Sequence, residues 1–312
     1  MIGLLLDIVL VVCLIAVAVW IIAARDVFSA IADFVAFGLL LSIAWYRIEA
    51  PDVALTEIAV GSGATGVMLL RARGLDRGGT EMNRPVGLPL RLVAGGLCAI
   101  VTVALAALTL VMPQPAPTLA QAAADNLAAT GVGNPITAVL MAYRAFDTFL
   151  ETVVVFLALV GVWSLAPDAA WGGRPGRAPA PPAPAPLVLL TQWLVPLGIV
   201  IGIYIVWVGA DEPGGKFQGA TILAAMWTLV MMAGLRDAPA VASRRLRAAL
   251  LVGPLVFMGI GLAGFWLAGD FLAYPEGFAK PFILVIEAAL TVSIAAMLGM
   301  LLAGPPMREA GR

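Results

Sequence analysis

At least nine long apolar stretches run through this chain of 312 residues. A helix of roughly 20 apolar residues crosses the hydrocarbon core of a bilayer. Hydrophobic residues make up 62% of the composition and charged residues 12%, where a soluble domain typically carries about 25% charged residues. The reading is an all-α fold, a polytopic membrane helix bundle of about nine transmembrane helices. The stretches fall at residues 2–23, 27–46, 51–70, 88–111, 147–165, 187–208, 218–235, 247–268 and 281–303. Any ionisable side chain within them requires a physical explanation.

Composition removes several chemistries. The chain has no histidine, which excludes imidazole acid–base catalysis and histidine-based nucleophile pairs. Cys13 and Cys98 each stand alone in an apolar stretch. They read as small hydrophobes, with no metal or iron–sulfur site from this chain. No cofactor is expected, and the chain reads as a non-enzyme. The net charge of −1 leaves no nucleic-acid footprint. Asp7 stands where a signal peptide would carry a basic segment, so the first stretch reads as a span. Gly61-Ser62-Gly63-Ala64-Thr65-Gly66 fits a dinucleotide fingerprint. It lies inside a membrane stretch, where small residues let helices approach closely.

The basic residues alternate between the connections. Arg25, Arg71, Arg73, Arg77, Arg84, Arg91, Arg174, Arg177, Arg236, Arg244, Arg245, Arg247, Arg308 and Arg312 fall on one side, 14 of the 18 Lys and Arg. Arg47, Arg144, Lys216 and Lys280 fall on the other. The positive-inside rule makes the first side cytoplasmic. This predicts a multi-pass protein of the inner (plasma) membrane, with its N-terminus outside and its C-terminus inside.

The expected organisation is two membrane units joined by a linker. Residues 1–112 form a four-helix unit. Residues 113–169 hold an external polar, Ala-rich segment, a hairpin-like approach and one further span. Residues 170–186 are a Pro/Ala linker with extended, polyproline-like character. Residues 187–312 form a second four-helix unit. No inverted repeat is legible, which argues against a self-sufficient secondary transporter.

Besides Asp52 and Asp147 at the very starts of their stretches, five acids fall within them: Asp7, Asp33, Glu57, Glu151 and Glu287. On the sequence, no Lys or Arg lies comparably deep; Lys216 and Lys280 read as interfacial. A charged carboxylate at the bilayer centre costs several kcal/mol. Each acid therefore faces a cavity, a partner chain or a cation, or carries a proton. Asp7, near a helix end, reads as a structural carboxyl. Asp33 and Glu57 read as functional. Glu57 lies six residues past Pro51, roughly 9 Å into its helix, and Glu287 lies six residues past Pro281. With Glu151 they put most of the buried acid in the outer leaflet, and Asp33 on the inner side.

Local patterns refine these placements. Pro51 suits the first position of a helix and Asp52 its first turn. Arg144, Asp147, Thr148 and Glu151 share one helical face, where Arg144 pairs with Asp147 and leaves Glu151 deeper. Residues 209–220, Gly-Ala-Asp-Glu-Pro-Gly-Gly-Lys-Phe-Gln-Gly-Ala, read as a tight outer turn able to line a polar site. Pro196 should kink its span, while Gly198 and Gly202 offer a close-packing face.

Three of these segments resemble components of Mrp-type multisubunit sodium/proton antiporters and the related membrane-bound hydrogenases. Ala50-Pro51-Asp52-Val53-Ala54-Leu55-Thr56-Glu57 and the stretch from Asn134 to Glu151 are similar to two blocks in the C-terminal tail of the large, A-type component of the antiporter. Pro213, Gly214, Gly215, Phe217, Gln218 and Gly219 resemble the glycine-rich loop of its B-type component. Ala145, Lys216 and Ala220 stand where those patterns carry glycine, and Ala142 where the pattern carries aspartate. The resemblance implies a subunit of a monovalent cation (Na⁺)/proton antiporter, partnered by other membrane subunits within the lipid bilayer. It implies an ion path using Glu57, Asp52, Asp147 and Glu151, with Asp33 and Glu287 as further acids. The membrane arm of a redox-driven ion pump, or a purely structural scaffold, are the alternatives.

Overall fold

A computed structural model describes residues 2–24, 26–75, 87–113, 118–176 and 183–309. The structure is a helical bundle with nine long membrane-type helical runs among the described residues. Eight are long and apolar enough to cross a membrane. The ninth, Lys216–Met232, has 17 residues and lies packed inside the bundle.

Helices α1 (Ile2–Ala23) and α2 (Val27–Arg47) form an antiparallel hairpin. Asp26 caps the start of α2 by accepting the Ser29 N–H at 3.0 Å, the ordinary service of an N-cap aspartate. At the other end, the Arg47 guanidinium donates to both carboxylate oxygens of Asp7 at 2.8 and 3.1 Å. Asp7 is therefore a paired structural carboxyl.

The third run is not a uniform α-helix. It starts as α3 (Pro51–Thr56), widens into a π-helical segment (Glu57–Ala64) and returns to α-helix in α4 (Thr65–Leu75). Pro51 occupies the first turn. The glycine-rich fingerprint lies in and just beyond the π-helical turns, so it serves helix packing. A Cβ on Gly66 would come 2.6 Å from Val35 of α2. Helix α5 (Leu88–Val111) buries none of its residues.

The segment expected as a hairpin-like approach is a broken helical path. Short helices α6 (Ala120–Asp125) and α7 (Leu127–Thr130) lead to α8 (Pro135–Ala138), whose cap Asn134 accepts the Ile136 N–H at 2.8 Å. A second π-helical segment (Val139–Tyr143) follows, and the path breaks at Arg144 before α9 (Ala145–Trp163). The break frees carbonyls that side chains take up. Thr148 donates to Leu140 O at 2.6 Å and Tyr274 to Met141 O at 2.8 Å. A buried backbone carbonyl left unpaired would be costly.

Helices α10 (Ala185–Val208), α11 (Lys216–Met232), α12 (Arg244–Leu267) and α13 (Ala279–Ala303) complete the bundle. The central helix is α13, packed by α9, α11 and α12. Ile283, Ile286 and Leu290 join Phe257 and Met141 in one apolar cluster. Met297 and Met300 join Leu159 and Leu250 in another. Between them, the Ser293 hydroxyl enters the hydrogen-bond ladder of α12. It donates to Ala249 O and accepts the Gly253 N–H, both at 2.8 Å. Gly198 and Gly202 do form a close-packing face: a Cβ would come 2.3 Å from Met226 Sδ and 3.1 Å from Leu223.

Boundaries shift where caps decide them. Helix α10 continues through Pro196 and begins at Ala185, so the last two residues of the expected linker are helical. Residues 177–182 of that linker lie outside the described residues. Just before them, β1 (Arg174–Pro175) pairs antiparallel with β2 (Pro306–Arg308).

Candidate functional site

The three motif segments, remote in sequence, meet at Asp52. Its side chain is only 8% exposed. Asp52 Oδ1 accepts the Asn134 amide at 3.2 Å and the Gly214 backbone N–H at 3.0 Å. Asn134 also donates to Glu212 O at 2.9 Å, and Thr137 donates to Gly209 O at 2.6 Å. Gln218 donates to Thr56 Oγ1 at 2.9 Å. The local reasons are plain. Gly214 and Gly215 adopt φ values of 158° and 135°, a region that disfavours side chains. A Cβ on Gly209 would come 2.5 Å from Gly215 N. The loop therefore folds tightly on itself, with the Gly215 N–H returned to Ile205 O and the Gly214 N–H aimed at the carboxylate.

Two acids flank this knot. Glu57, at the start of the first π-helical segment, lays its carboxylate against glycine. A Cβ on Gly61 would come 2.3 Å from Glu57 Oε1, and one on Gly38 of α2 would come 2.9 Å from it. Helix α2 packs on the π-helical segment, which places Asp33 on the neighbouring helix. No hydrogen bond joins Asp33 to Glu57 among the described residues. Asp33 Oδ2 and Ser62 Oγ are both buried without a hydrogen-bond partner. On the other flank is Glu287 of α13, 2% exposed, with Oε2 likewise buried and unpartnered. Its Oε1 lies beside the loop, 3.9 Å from where a Gly215 Cβ would stand.

The structure corrects the reading of Lys216. The second half of the expected outer loop is helix: Lys216 is the first residue of α11 and is 3% exposed. It is a buried ammonium and not an interfacial one. The expectation that no Lys or Arg lies as deep as the acids is thereby overturned for Lys216. The signal was present, because a lysine directly after Pro-Gly-Gly falls at a helix start. Charge alone suggested the surface.

The remaining site residues divide cleanly. Asp147 pairs with Arg144 at 2.5 Å on an exposed face. Glu151, one turn further, is also exposed on the isolated chain. Lys280 pairs with Asp211 at 2.7 Å. Hydrogen bonding to Lys280 holds the Asp211 carboxyl below its ordinary value. Phe217 and Gly219 lie in the first turns of α11, where a Gly219 Cβ would come 2.3 Å from Val206. Tyr274, not singled out in the sequence, reaches the same region. Burial, and after it the Glu287 carboxylate, push its phenol above the ordinary range.

Known proteins share these segments. Residues 12–74 match MbhD, the D-type component of MBH, and residues 186–306 match the "Domain related to MnhB subunit of Na+/H+ antiporter". Two separate regions of the chain are thus similar to components of Na+/H+ antiporters and of MBH. Its fold is a polytopic membrane helix bundle. A probable K(+)/H(+) antiporter protein of the A/B type from Rhizobium meliloti (strain 1021) is 25% identical over 259 residues. That match takes in 72% of this chain and 25% of the relative, so the chain spans about a quarter of the relative's length. The fold is similar to a chain of the Mrp complex from Dietzia sp. DQ12-45-1b, with TM-score 0.74 and 23% identity over 97% of this chain and 35% of that one. It is also similar to a chain of an archaeal membrane-bound sulfane sulfur reductase, with TM-score 0.57 and 22% identity over 69% of this chain and 97% of that one.

Proposed function

We propose that this chain is a subunit of a multisubunit monovalent cation/proton antiporter complex and contributes its acids to an ion path. The observation that carries the reading is the meeting of three motif segments at Asp52, with Glu57 on one flank and Glu287 on the other. Asp52 is committed to Asn134 and Gly214, one from each of the other two segments, and serves as the fastener. Asp147 is held by Arg144 at the rim. Glu57, Asp33 and Glu287 are the acids placed to take a proton or a cation, with Glu151 at the exposed edge. Relatives carry either K⁺/H⁺ or Na⁺/H⁺ in their descriptions. The cargo is read as Na⁺ first, with K⁺ as the competitor. Other membrane subunits supply the remaining wall of the path.

Glu57→Gln tests the reading because it keeps shape and removes charge. In membrane vesicles holding the assembled complex, it should abolish cation-driven proton movement while assembly persists. Glu57→Asp should retain part of the activity. Normal exchange by the assembled Glu57→Gln complex would leave the scaffold reading in its place.

The fold likeness to the sulfane sulfur reductase chain favours one second reading, the membrane arm of a redox-driven pump. Copurification of soluble redox subunits with the native complex would select it. The orientation is proposed from the basic residues, outside at the N-terminus in the plasma membrane. A reporter near residue 125 should be external and one near residue 240 cytoplasmic. The division at residues 112 and 187 is proposed as two membrane units joined by the linker.

A further inference from the structure

We infer that the basic end of the bundle holds one anionic phospholipid, with its headgroup among Arg71, Arg236 and Arg308 and one acyl chain in the apolar crevice between the third membrane run and α11. The site uses none of the acids proposed for the ion path, and it does not rest on the antiporter reading.

Two cavities meet there. The first, of about 370 Å³, is apolar and is lined by Ile58 and Val67 of the third run, Leu229 and Met232 of α11, and Leu298 of α13. Gly63 and Ala225 line it too, and their small size leaves the gap open. The second, of about 350 Å³, lies at the ends of the same helices. It is lined by Arg71, Arg236 and Arg308, with Asp237 as the acid among its lining residues.

The cavities are continuous along three elements. On α4, Arg71 of the basic cavity follows Val67 of the crevice by about one helical turn. On α11, Met232 lines both. On α13, Leu302 lines the first and Ala303 the second, and the Arg71 guanidinium donates to Leu302 O at the junction. A molecule that fills both needs a charged end and a hydrocarbon end.

Size selects a lipid chain. The crevice follows α11 from Thr221 to Met232, about 16 Å of helix. That is the depth of one leaflet, half of a hydrocarbon core about 30 Å thick. A helix 10–12 Å across would need on the order of 1,200 Å³ over that length, more than three times the crevice. A single hydrocarbon chain is slender enough. Val67 and Met232 are exposed, so the crevice opens on the flank of the bundle, where a lipid can enter.

Charge selects the headgroup. Three guanidiniums and one carboxylate line the basic cavity. That carboxylate, Asp237, is already engaged by Arg308 at 3.3 Å and by Arg174 at 3.7 Å. The excess of positive charge lies where α4, α11 and α13 end, and basic pockets between membrane helices bind anionic headgroups. A guanidinium grips phosphate with paired N–H donors. A zwitterionic headgroup brings its own cation to a place that is already positive, so the anionic lipid is preferred.

Photolabelling tests the site. The purified complex containing this chain is placed in phosphatidylcholine nanodiscs. A trace of phosphatidylglycerol or phosphatidylcholine with a diazirine in its acyl chain is added. The phosphatidylglycerol probe should label residues 58–67 and 221–232 about tenfold more than the phosphatidylcholine probe. Arg236→Gln, at an exposed position, should lower that preference about fivefold, the worth of one basic residue near anionic lipid. Ala225→Phe should fill the crevice and abolish labelling there with either probe. Equal labelling by the two probes on the wild-type complex overturns the proposal, because it marks ordinary contact with the bilayer. No labelling of the crevice overturns it too, and shows that another subunit covers the gap. An unchanged preference in Arg236→Gln removes the headgroup from the basic cavity. Loss of the preference on adding inorganic phosphate, but not sodium chloride of equal ionic strength, assigns that cavity to free phosphate and overturns the lipid. Where a variant does not assemble, the two probes on the wild-type complex still decide.

Discussion

Asp52 Oδ1 accepts the backbone N–H of Gly214 at 3.0 Å, joining positions 162 residues apart. The bond ties the start of the third membrane run to the turn before α11. Through Asn134 the same oxygen holds the segment that leads into α9.

Removing that acceptor should loosen the whole knot. Asp52→Ala leaves the Gly214 N–H and the Asn134 amide short of a partner in a buried place. A hydrogen bond to a charged group is worth about 1.5–3 kcal/mol, so thermal unfolding of the purified complex should move down by a loss of that order. Asp52→Asn retains a carbonyl acceptor and should cost less. Equal stability of Asp52→Ala and wild type would show that the knot contributes nothing.

Gly61 leaves room for the Glu57 carboxylate. Gly61→Ala would put a Cβ 2.3 Å from Glu57 Oε1, so the side chain must swing away. Exchange activity should drop while the complex still assembles. Gly95→Ala in α5 meets nothing within 4 Å and should behave as wild type, unless a neighbouring chain packs on that face. Unchanged exchange in Gly61→Ala would show that the position of Glu57 is immaterial.

Ser293 substitutes for a backbone partner inside α12. Ser293→Ala leaves Ala249 O and the Gly253 N–H without the hydroxyl between them. Each buried unsatisfied group costs about 1–3 kcal/mol, reduced if α12 closes its own ladder. The expected outcome is a lower unfolding temperature with exchange unaffected. Faster amide exchange at Gly253 would locate the defect.

The Asp211–Lys280 pair gives an acid-sensitive contact between the turn before α11 and the start of α13. The folded Asp211 carboxyl is held below its ordinary value, chiefly by Lys280. A depressed carboxyl stabilises the fold above its unfolded value, and that contribution is lost as pH falls through the folded one. The Gly133 N–H, which donates to Asp211 Oδ1 at 3.2 Å, should therefore lose protection from hydrogen exchange only in distinctly acidic solution. In Lys280→Ala the loss should begin at higher pH. The same pH dependence in both proteins would assign the protection to Ala210 O, the other acceptor of that N–H.

The apolar runs, the helix start at Pro51, and the acids of the third and last spans were all legible in the sequence. Apolar length and capping chemistry are local properties, and they suffice to write down a membrane helix and its ends. The motif segments were legible as well, but only as separate stretches. Their convergence on one carboxylate is a matter of which helices lie side by side, and no local pattern encodes that. The π-helical turns at Glu57 and Val139 were equally hidden, because one extra residue per turn leaves an apolar stretch apolar. Lys216 shows the limit most directly. Its charge suggested the membrane surface, yet the packing of α11 against α10 and α13 buried it at the helix start, beside the loop that the Glu287 carboxylate approaches, and no local pattern encodes which helices pack there.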